Sequence, residues 1–234
     1  MTDQHLRSRF VRVSDGQSGI LDKGSFGTVR LAIDSESKNA VAVKTLEFPS
    51  NDAAREVALY NLLEKDPHPN IVKMLCHFPS PRGVLKQYIN FVFELASTDL
   101  WQHWRHPQRQ SGLQDIRLSA SYLRDAAKAL QHFHGTLRVL HADPSPKNFL
   151  LFPGDVVKLA DFGRSQCADS FLHRRPLATI VVRPPEAILG VQKLTYAADV
   201  WALGILGLMY LCGSVPTNVS SEQDQISKQP PQAH

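Results

Sequence analysis

Cysteine is scarce and badly spaced for any covalent or metal framework. Cys76, Cys167 and Cys212 are three in 234 residues, an odd number lying far apart. That excludes a disulfide scaffold and the paired spacing of a zinc site, and it points to a reducing compartment. Long hydrophobic runs are also missing. The most apolar stretch, residues 200–212, falls well short of the about 20 residues a membrane helix needs. The opening MTDQHLRSRF has no apolar signal core. Despite a formal net charge of +4, no basic run is long enough to argue for nucleic acid. The expectation is a cytoplasmic or nuclear chain with neither membrane nor nucleic acid as partner. What is present is ordinary: 43% hydrophobic and 21% charged residues suit a globular protein long enough for one large domain or two small lobes. No internal repeat is visible.

Residues 141–163, HADPSPKNFLLFPGDVVKLADFG, carry the chemistry. Asp143, Asn148 and Asp161 surround two short apolar runs, 149–152 and 156–160, split by a Pro-Gly-Asp turn, which predicts a β-hairpin. The hairpin returns the loop with Asp143 and Asn148 beside Asp161. Two carboxylates and an amide oxygen are hard ligands suited to Mg²⁺ and the phosphates it carries. One carboxylate can instead accept a proton from an attacking hydroxyl. Taken alone, the stretch is equally readable as a polar turn in a helical domain.

Residues 10–46 alternate like strands. Gly24 and Gly27, in ILDKGSFGTV, let backbone amides approach phosphate oxygens, although a plain β-turn fits as well. VAVK (41–44) places Ala42 and Lys44 on one strand face, where Lys44 by itself reads as a solvated strand-end lysine. Twelve residues on, Glu56 sits on an amphipathic helix with Ala53, Val57, Tyr60 and Leu63 near one face. FVFELASTDL (91–100) reads as a buried strand and its exit loop, and WQHWRHPQRQSG (101–112) as a mobile surface insertion. A helix is predicted over 116–134 with Gly135 as its stop. A second, apolar on every side and therefore buried, is predicted over 195–211 with Asp199 inside it. Residues 213–234, rich in Ser, Gln and Pro, predict a disordered tail.

In this order the signatures resemble a eukaryotic protein kinase, whose catalytic loop reads H-R-D-x-x-x-x-N and is followed by D-F-G. His141, Asp143, Asn148, Asp161, Phe162 and Gly163 match; Ala142 replaces the Arg, and Ser145 replaces the Lys usual in serine/threonine kinases. The glycine loop matches G-x-G-x-x-G-x-V except that Asp22 stands at the first glycine; the resemblance implies weakened nucleotide binding rather than none. It implies an α+β, bilobal fold: a β-rich N-lobe (1–96), a helical C-lobe (97–213) lacking its last helices, and the tail (214–234). It implies ATP and Mg²⁺ as cofactors, with Asp143 as base, Lys44 and Glu56 paired over the α- and β-phosphates, and Asn148 and Asp161 on the metal. Thr179 would contact the catalytic Asp. Lys23, Gly24, Ser25, Phe26, Gly27 and Val29 would cover the phosphates. Ala42, Phe93 as gatekeeper, Glu94, Ala96, Asp99 toward the ribose, and Leu150 would complete the nucleotide set. Asp199 would hold the catalytic-loop backbone.

PSNDAARE, FVFEL, VRPPEAILG and ADVWALG are similar to cyclin-dependent kinases, and the Glu56 helix to the one those kinases present to cyclin. A protein substrate, another kinase included, and a cyclin-like partner at that helix are thus implied. Phe26 and Arg174 stand where cyclin-regulated members carry an inhibitory Tyr and an activating Thr, a pattern that fits divergent kinases that activate cyclin-dependent kinases. Loss of the activating Thr together with the Arg that would grip its phosphate describes an enzyme independent of that switch. The same losses suit a pseudokinase or scaffold of the same fold, and that alternative stays open. A third reading, an unrelated nucleotide or phosphate enzyme, rests on the hard ligands alone.

Overall fold

The computed structural model describes residues 3–13, 19–24, 27–81, 87–106, 115–168, 182–191, 193 and 195–213. Ser25, Phe26, Ser170, Arg174, Thr179, residues 107–112 and the expected tail over 214–234 lie outside the described residues. The chain forms two compact units. One runs to Ala96 and takes in Asp161–Gly163; the other holds Ser97–Ala160 and continues from Arg164.

The first unit opens with α1 (Asp3–Arg9) and β1 (Phe10–Arg12), followed by β2 (Ile20–Gly24), β3 (Gly27–Asp34) and β4 (Ala40–Phe48). Helix α2 (Asn51–Lys65) separates these from β5 (Met74–Pro81) and β6 (Gln87–Glu94). The antiparallel sheet runs β1-β3-β4-β6-β5, with β2 also pairing β3. Period-two alternation splits its faces. Val41 and Val92 join Phe10, Ala32 and Phe78 in one apolar cluster, while Lys44, one position out of phase with Val41 and Val43, turns to the other face. Helix α2 starts at Ser50, whose hydroxyl accepts from the Ala53 amide at 3.2 Å. It buries Ala53, Glu56, Leu59, Tyr60 and Leu63, so Leu59 holds a buried place and Val57 is half-buried.

Asp34 ties α1 to the sheet. Its carboxylate accepts from Arg9 Nε and Nη2, both at 2.7 Å, from Ser37 Oγ at 2.8 Å and from the Glu36 amide at 3.1 Å. The Arg9 guanidinium, helped by Ser37 and the Glu36 amide, holds this carboxyl well below its ordinary value near 3.8. A depressed folded-state value stabilises above the unfolded value, and the contribution is lost as pH falls through and below it. Asp34→Asn is expected to cost about 1–3 kcal/mol at neutral pH. Denaturant melts of both proteins should show the gap closing as pH falls below 4.

The second unit contains β7 (Thr98–Asp99), α3 (Leu100–Arg105), α4 (Ile116–His132), a π turn (Phe133–Leu137) and β8 (Val139–Leu140). After these come β9 (Phe149–Phe152), β10 (Val156–Leu159), β11 (Gln166–Cys167), α5 (Pro185–Ile188) and α6 (Tyr196–Cys212). The predicted hairpin is present as β9 and β10, with Leu159 opposite Phe149. Its turn carries Gly154 at φ 78° and Asp155 at φ 59°, left-handed positions that favour Gly and tolerate Asp.

Three local expectations are corrected. Residues 101–105 are no mobile insertion: they form α3, capped by Asp99 (Gln102 N–H to Oδ1, 2.8 Å). Trp104 Nε1 donates to the Met209 carbonyl at 3.0 Å, and His103 stacks on Tyr210. Gly135 does not stop α4. The chain widens into the π turn through it and ends at Arg138, φ 58°. Helix α6 is not buried on every side: Ala198, Asp199, Ala202, Ile205, Leu206 and Met209 face inward, while Val200, Trp201, Leu208 and Leu211 are 44–57% exposed.

Candidate catalytic site

The first unit assembles Lys44, Glu56 and Asp161. Strand β4 presents Lys44 and α2 presents Glu56. Lys44 Nζ donates to Glu56 Oε1 at 2.7 Å and Oε2 at 2.9 Å, and to Asp161 Oδ1 at 2.8 Å. Lys44 and Glu56 are buried, whereas the Asp161 side chain is 31% exposed. Burial pushes the Glu56 carboxyl up to about 7; Lys44 pulls against that shift and Asp161 adds to it. Burial also opposes the Lys44 charge, but Asp161 and Glu56 outweigh it and hold the ammonium above its ordinary value. The lysine is therefore no solvated strand-end residue. It is a fixed cation between two carboxylates, one of them open to further partners.

Asp161 adopts φ 64°, a left-handed conformation costing a non-glycine residue about 1–2 kcal/mol, and its neighbours hold it there. Phe162 is fully buried against Tyr60, ring centroids 4.8 Å apart, and Tyr60 lies 5.2 Å from Phe93. Arg55 donates to the Gly163 carbonyl at 3.3 Å. A Cβ on Gly163 would touch the Asp52 side chain at 3.4 Å.

The glycine hairpin pairs Gly24 with Gly27 across the β2–β3 ladder. Gly27 has φ 144°, and a Cβ there would lie 2.2 Å from the Thr45 carbonyl oxygen. This glycine is thus required by contact with β4 as well as by any ligand. Asp22 follows a register shift in β2, and its carboxylate accepts from the Lys23 amide at 2.9 Å. Val29 lies opposite Lys44 and Ala42 opposite Phe93. Glu94 caps the Lys73 amide at 2.8 Å through its side chain, and Ala96 is half-buried.

The second unit assembles the loop 141–148. Asp199, fully buried, accepts from the His141 amide at 2.8 Å and from the Ala142 amide at 3.0 Å. Its Oδ2 also meets His134 Nε2 at 2.8 Å. Ala142 is held at φ 67° and packs with Leu140 and Ala198. His141 Nδ1 accepts from the Asp143 amide at 3.2 Å while Nε2 meets the Ala160 carbonyl at 3.0 Å. Only the neutral Nε2–H tautomer makes both bonds. Asn148 Nδ2 donates to the Asp143 carbonyl at 2.8 Å, which leaves Oδ1 as the acceptor end. Leu150 is half-buried opposite Asp99 in the β7–β9 pair, and the Asp99 carboxylate is engaged in capping α3.

His134 escaped the sequence reading, because only the π turn brings it to Asp199. An Asp199→Ala substitution would orphan two buried amides and should destabilise the fold by about 1–3 kcal/mol. Asp199→Asn, able to accept through one oxygen only, should fall between Asp199→Ala and wild type in a denaturant titration.

The protein kinase domain model matches residues 17–233. The chain belongs to the protein kinase family. It is 31% identical over 219 residues to cyclin-dependent kinase D-1 of Arabidopsis thaliana, covering 89% of this chain and 52% of that protein. The Aurora kinase of Schizosaccharomyces pombe is 31% identical over 204 residues, 84% of this chain and 54% of the relative. Cyclin-dependent kinase 4 of Ovis aries is 30% identical over 223 residues, 88% of this chain and 70% of the relative. The kinase chain thus spans about half the length of the plant and yeast relatives.

Membership implies use of ATP, typically with Mg²⁺. Among the described residues of this kinase, no group of three or more His, Cys, Asp or Glu is arranged to cage a metal. In the first unit the partly exposed Asp161 carboxylate is a hard oxygen donor of the type Mg²⁺ takes alongside waters and phosphate oxygens; in the second, the Asn148 amide oxygen is another. No helix among the described residues is long and apolar enough to cross a membrane.

Proposed function

We propose that this kinase is a catalytically active, ATP- and Mg²⁺-dependent protein serine/threonine kinase of cyclin-dependent-kinase-like type. The observation that carries the proposal is the closed ion cluster of Lys44, Glu56 and Asp161, all at 2.7–2.9 Å. A lysine so fixed has the charge and rigidity to hold α- and β-phosphates. By resemblance to the family, Asp161 and Asn148 would each serve as a ligand of Mg²⁺, which would neutralise phosphate charge. Asp143 accepts the proton of a protein hydroxyl as its oxygen bonds to the γ-phosphorus and the bond to the ADP oxygen breaks. Substrates are proteins, other kinases included, and α2 is the surface for a cyclin-like partner. A cytoplasmic or nuclear setting goes with this assignment.

A second reading, pseudokinase or scaffold, is favoured by Ala142, Ser145 and Asp22, each lacking what the family usually has there. The deciding experiment measures γ-phosphate transfer from Mg-ATP to a panel of kinase activation-loop peptides, with Asp143→Asn as control. Transfer above that control supports the enzyme; Mg-ATP binding without transfer supports the scaffold. With Ala142 in the loop, phosphatase pretreatment should leave the rate unchanged, and a large fall would reveal a phosphorylation switch.

A further inference from the structure

Asp143 is only 8% exposed, and an enclosed carboxylate is strongly disfavoured unless a cation or donors face it. The side chains beside it on the catalytic loop are neutral or exposed. Ala142 and Ser145 carry no charge, His141 is the neutral tautomer by its hydrogen bonds, and Lys147 is exposed. The cation comes from across a strand pair: Arg164 Nε lies 3.8 Å from Asp143 Oδ2, the two side chains 23% and 11% exposed.

Backbone pairing fixes this approach. Strand β11 runs antiparallel to β8, with Gln166 opposite Leu140 and Cys167 opposite Val139. Ser165, 2% exposed, donates its hydroxyl to the His141 carbonyl at 3.5 Å. The same register carried on sets Arg164 across from Ala142. The positive charge missing from the loop at 142 and 145 is thus delivered from the facing segment.

We propose that Arg164 is a positioning residue for phosphoryl transfer, its guanidinium holding the Asp143 carboxylate in the orientation that meets the attacking hydroxyl. The inference rests on the kinase reading. An ion pair at this range fixes the direction of the side chain, and a base must face the hydroxyl within hydrogen-bond reach to take its proton. Arg164 acts through Asp143 and not through the nucleotide, so its loss belongs in turnover and not in ATP affinity.

The test is steady-state transfer to a peptide substrate by wild type, Arg164→Ala, Arg164→Gln, Arg164→Lys and Asp143→Asn, with Mg-ATP thermal shifts on each to show folding and binding. Loss of a supporting partner of this kind costs roughly 10–100-fold in activity. That fall is expected in kcat for Arg164→Ala and Arg164→Gln, with KM for ATP unchanged and Arg164→Lys recovering most of the rate. Equal or faster turnover in Arg164→Gln overturns the proposal, because the contact then restrains Asp143 or does nothing. So does a rise in KM for ATP at constant kcat, and so does an Arg164→Lys as slow as Arg164→Ala. Wild-type transfer no higher than Asp143→Asn defeats the kinase reading itself, and the inference falls with it.

Discussion

Asp143→Asn should lower phosphoryl transfer by about 10²–10⁴-fold, the usual worth of a positioned general base, while leaving the fold and Mg-ATP binding intact. Apart from the Arg164 ion pair of its carboxylate, residue 143 is located through its backbone. Its amide donates to His141 Nδ1, and its carbonyl accepts from the Ser145 amide at 2.8 Å and from Asn148 Nδ2. An Asn side chain disturbs none of these. It removes only the charge and basicity of the carboxylate, so the loss belongs in kcat. Rapid-quench turnover beside Mg-ATP thermal shifts separates the two effects. A variant as fast as wild type would remove Asp143 from the chemistry.

Lys44→Met and Asp161→Asn should each abolish the Mg-ATP thermal shift, for different reasons and with different effects on the free protein. Lys44→Met takes the cation from between two carboxylates and leaves Glu56 fully buried. Breaking a buried pair this way costs about 3–5 kcal/mol, moderated because Glu56, already pushed up to about 7 by burial, can take up a proton. A carboxyl raised in the folded state stabilises less as pH climbs from its unfolded value through its folded one. The Lys44→Met protein should therefore lose stability more steeply than wild type between about pH 5 and 8. Asp161→Asn keeps the packing of Phe162 on Tyr60 and loses charge at a side chain already 31% exposed, so its unliganded melt should lie near wild type. An undiminished shift in both variants would mean that nucleotide binds elsewhere.

The local frame around the candidate residues was legible because it is tied to local sequence. The hairpin over 149–159 follows from two apolar runs and a Pro-Gly-Asp turn, and the Lys44 and Glu56 faces follow from strand and helix periods. What sequence did not show depends on contacts between distant positions. Trp104 reaches the carbonyl of Met209, 105 residues away, so a polar, aromatic segment that looks loose alone is a docked helix. His134 reaches Asp199 only because α4 widens into a π turn, which no hydrophobic period encodes. Gly27 reads as a ligand-facing glycine, yet its other reason, the Thr45 carbonyl oxygen that a Cβ would strike, lies on the neighbouring strand. The exposed face of α6 is invisible in the sequence because apolar side chains lie all round the helix and their spacing does not say which of them find a partner. Left-handed Ala142 and Asp161 are likewise fixed by Asp199 and by Lys44 and Phe162, not by their own preferences.

The most direct test is the time course of phosphopeptide and ADP formed together from Mg-ATP, in wild type and Asp143→Asn side by side. Active transfer predicts equal molar amounts of both products in wild type, with the variant lower by about 10²-fold or more. Wild-type product no greater than the variant's, under conditions where Mg-ATP raises the melting temperature, would contradict it and leave a nucleotide-binding scaffold.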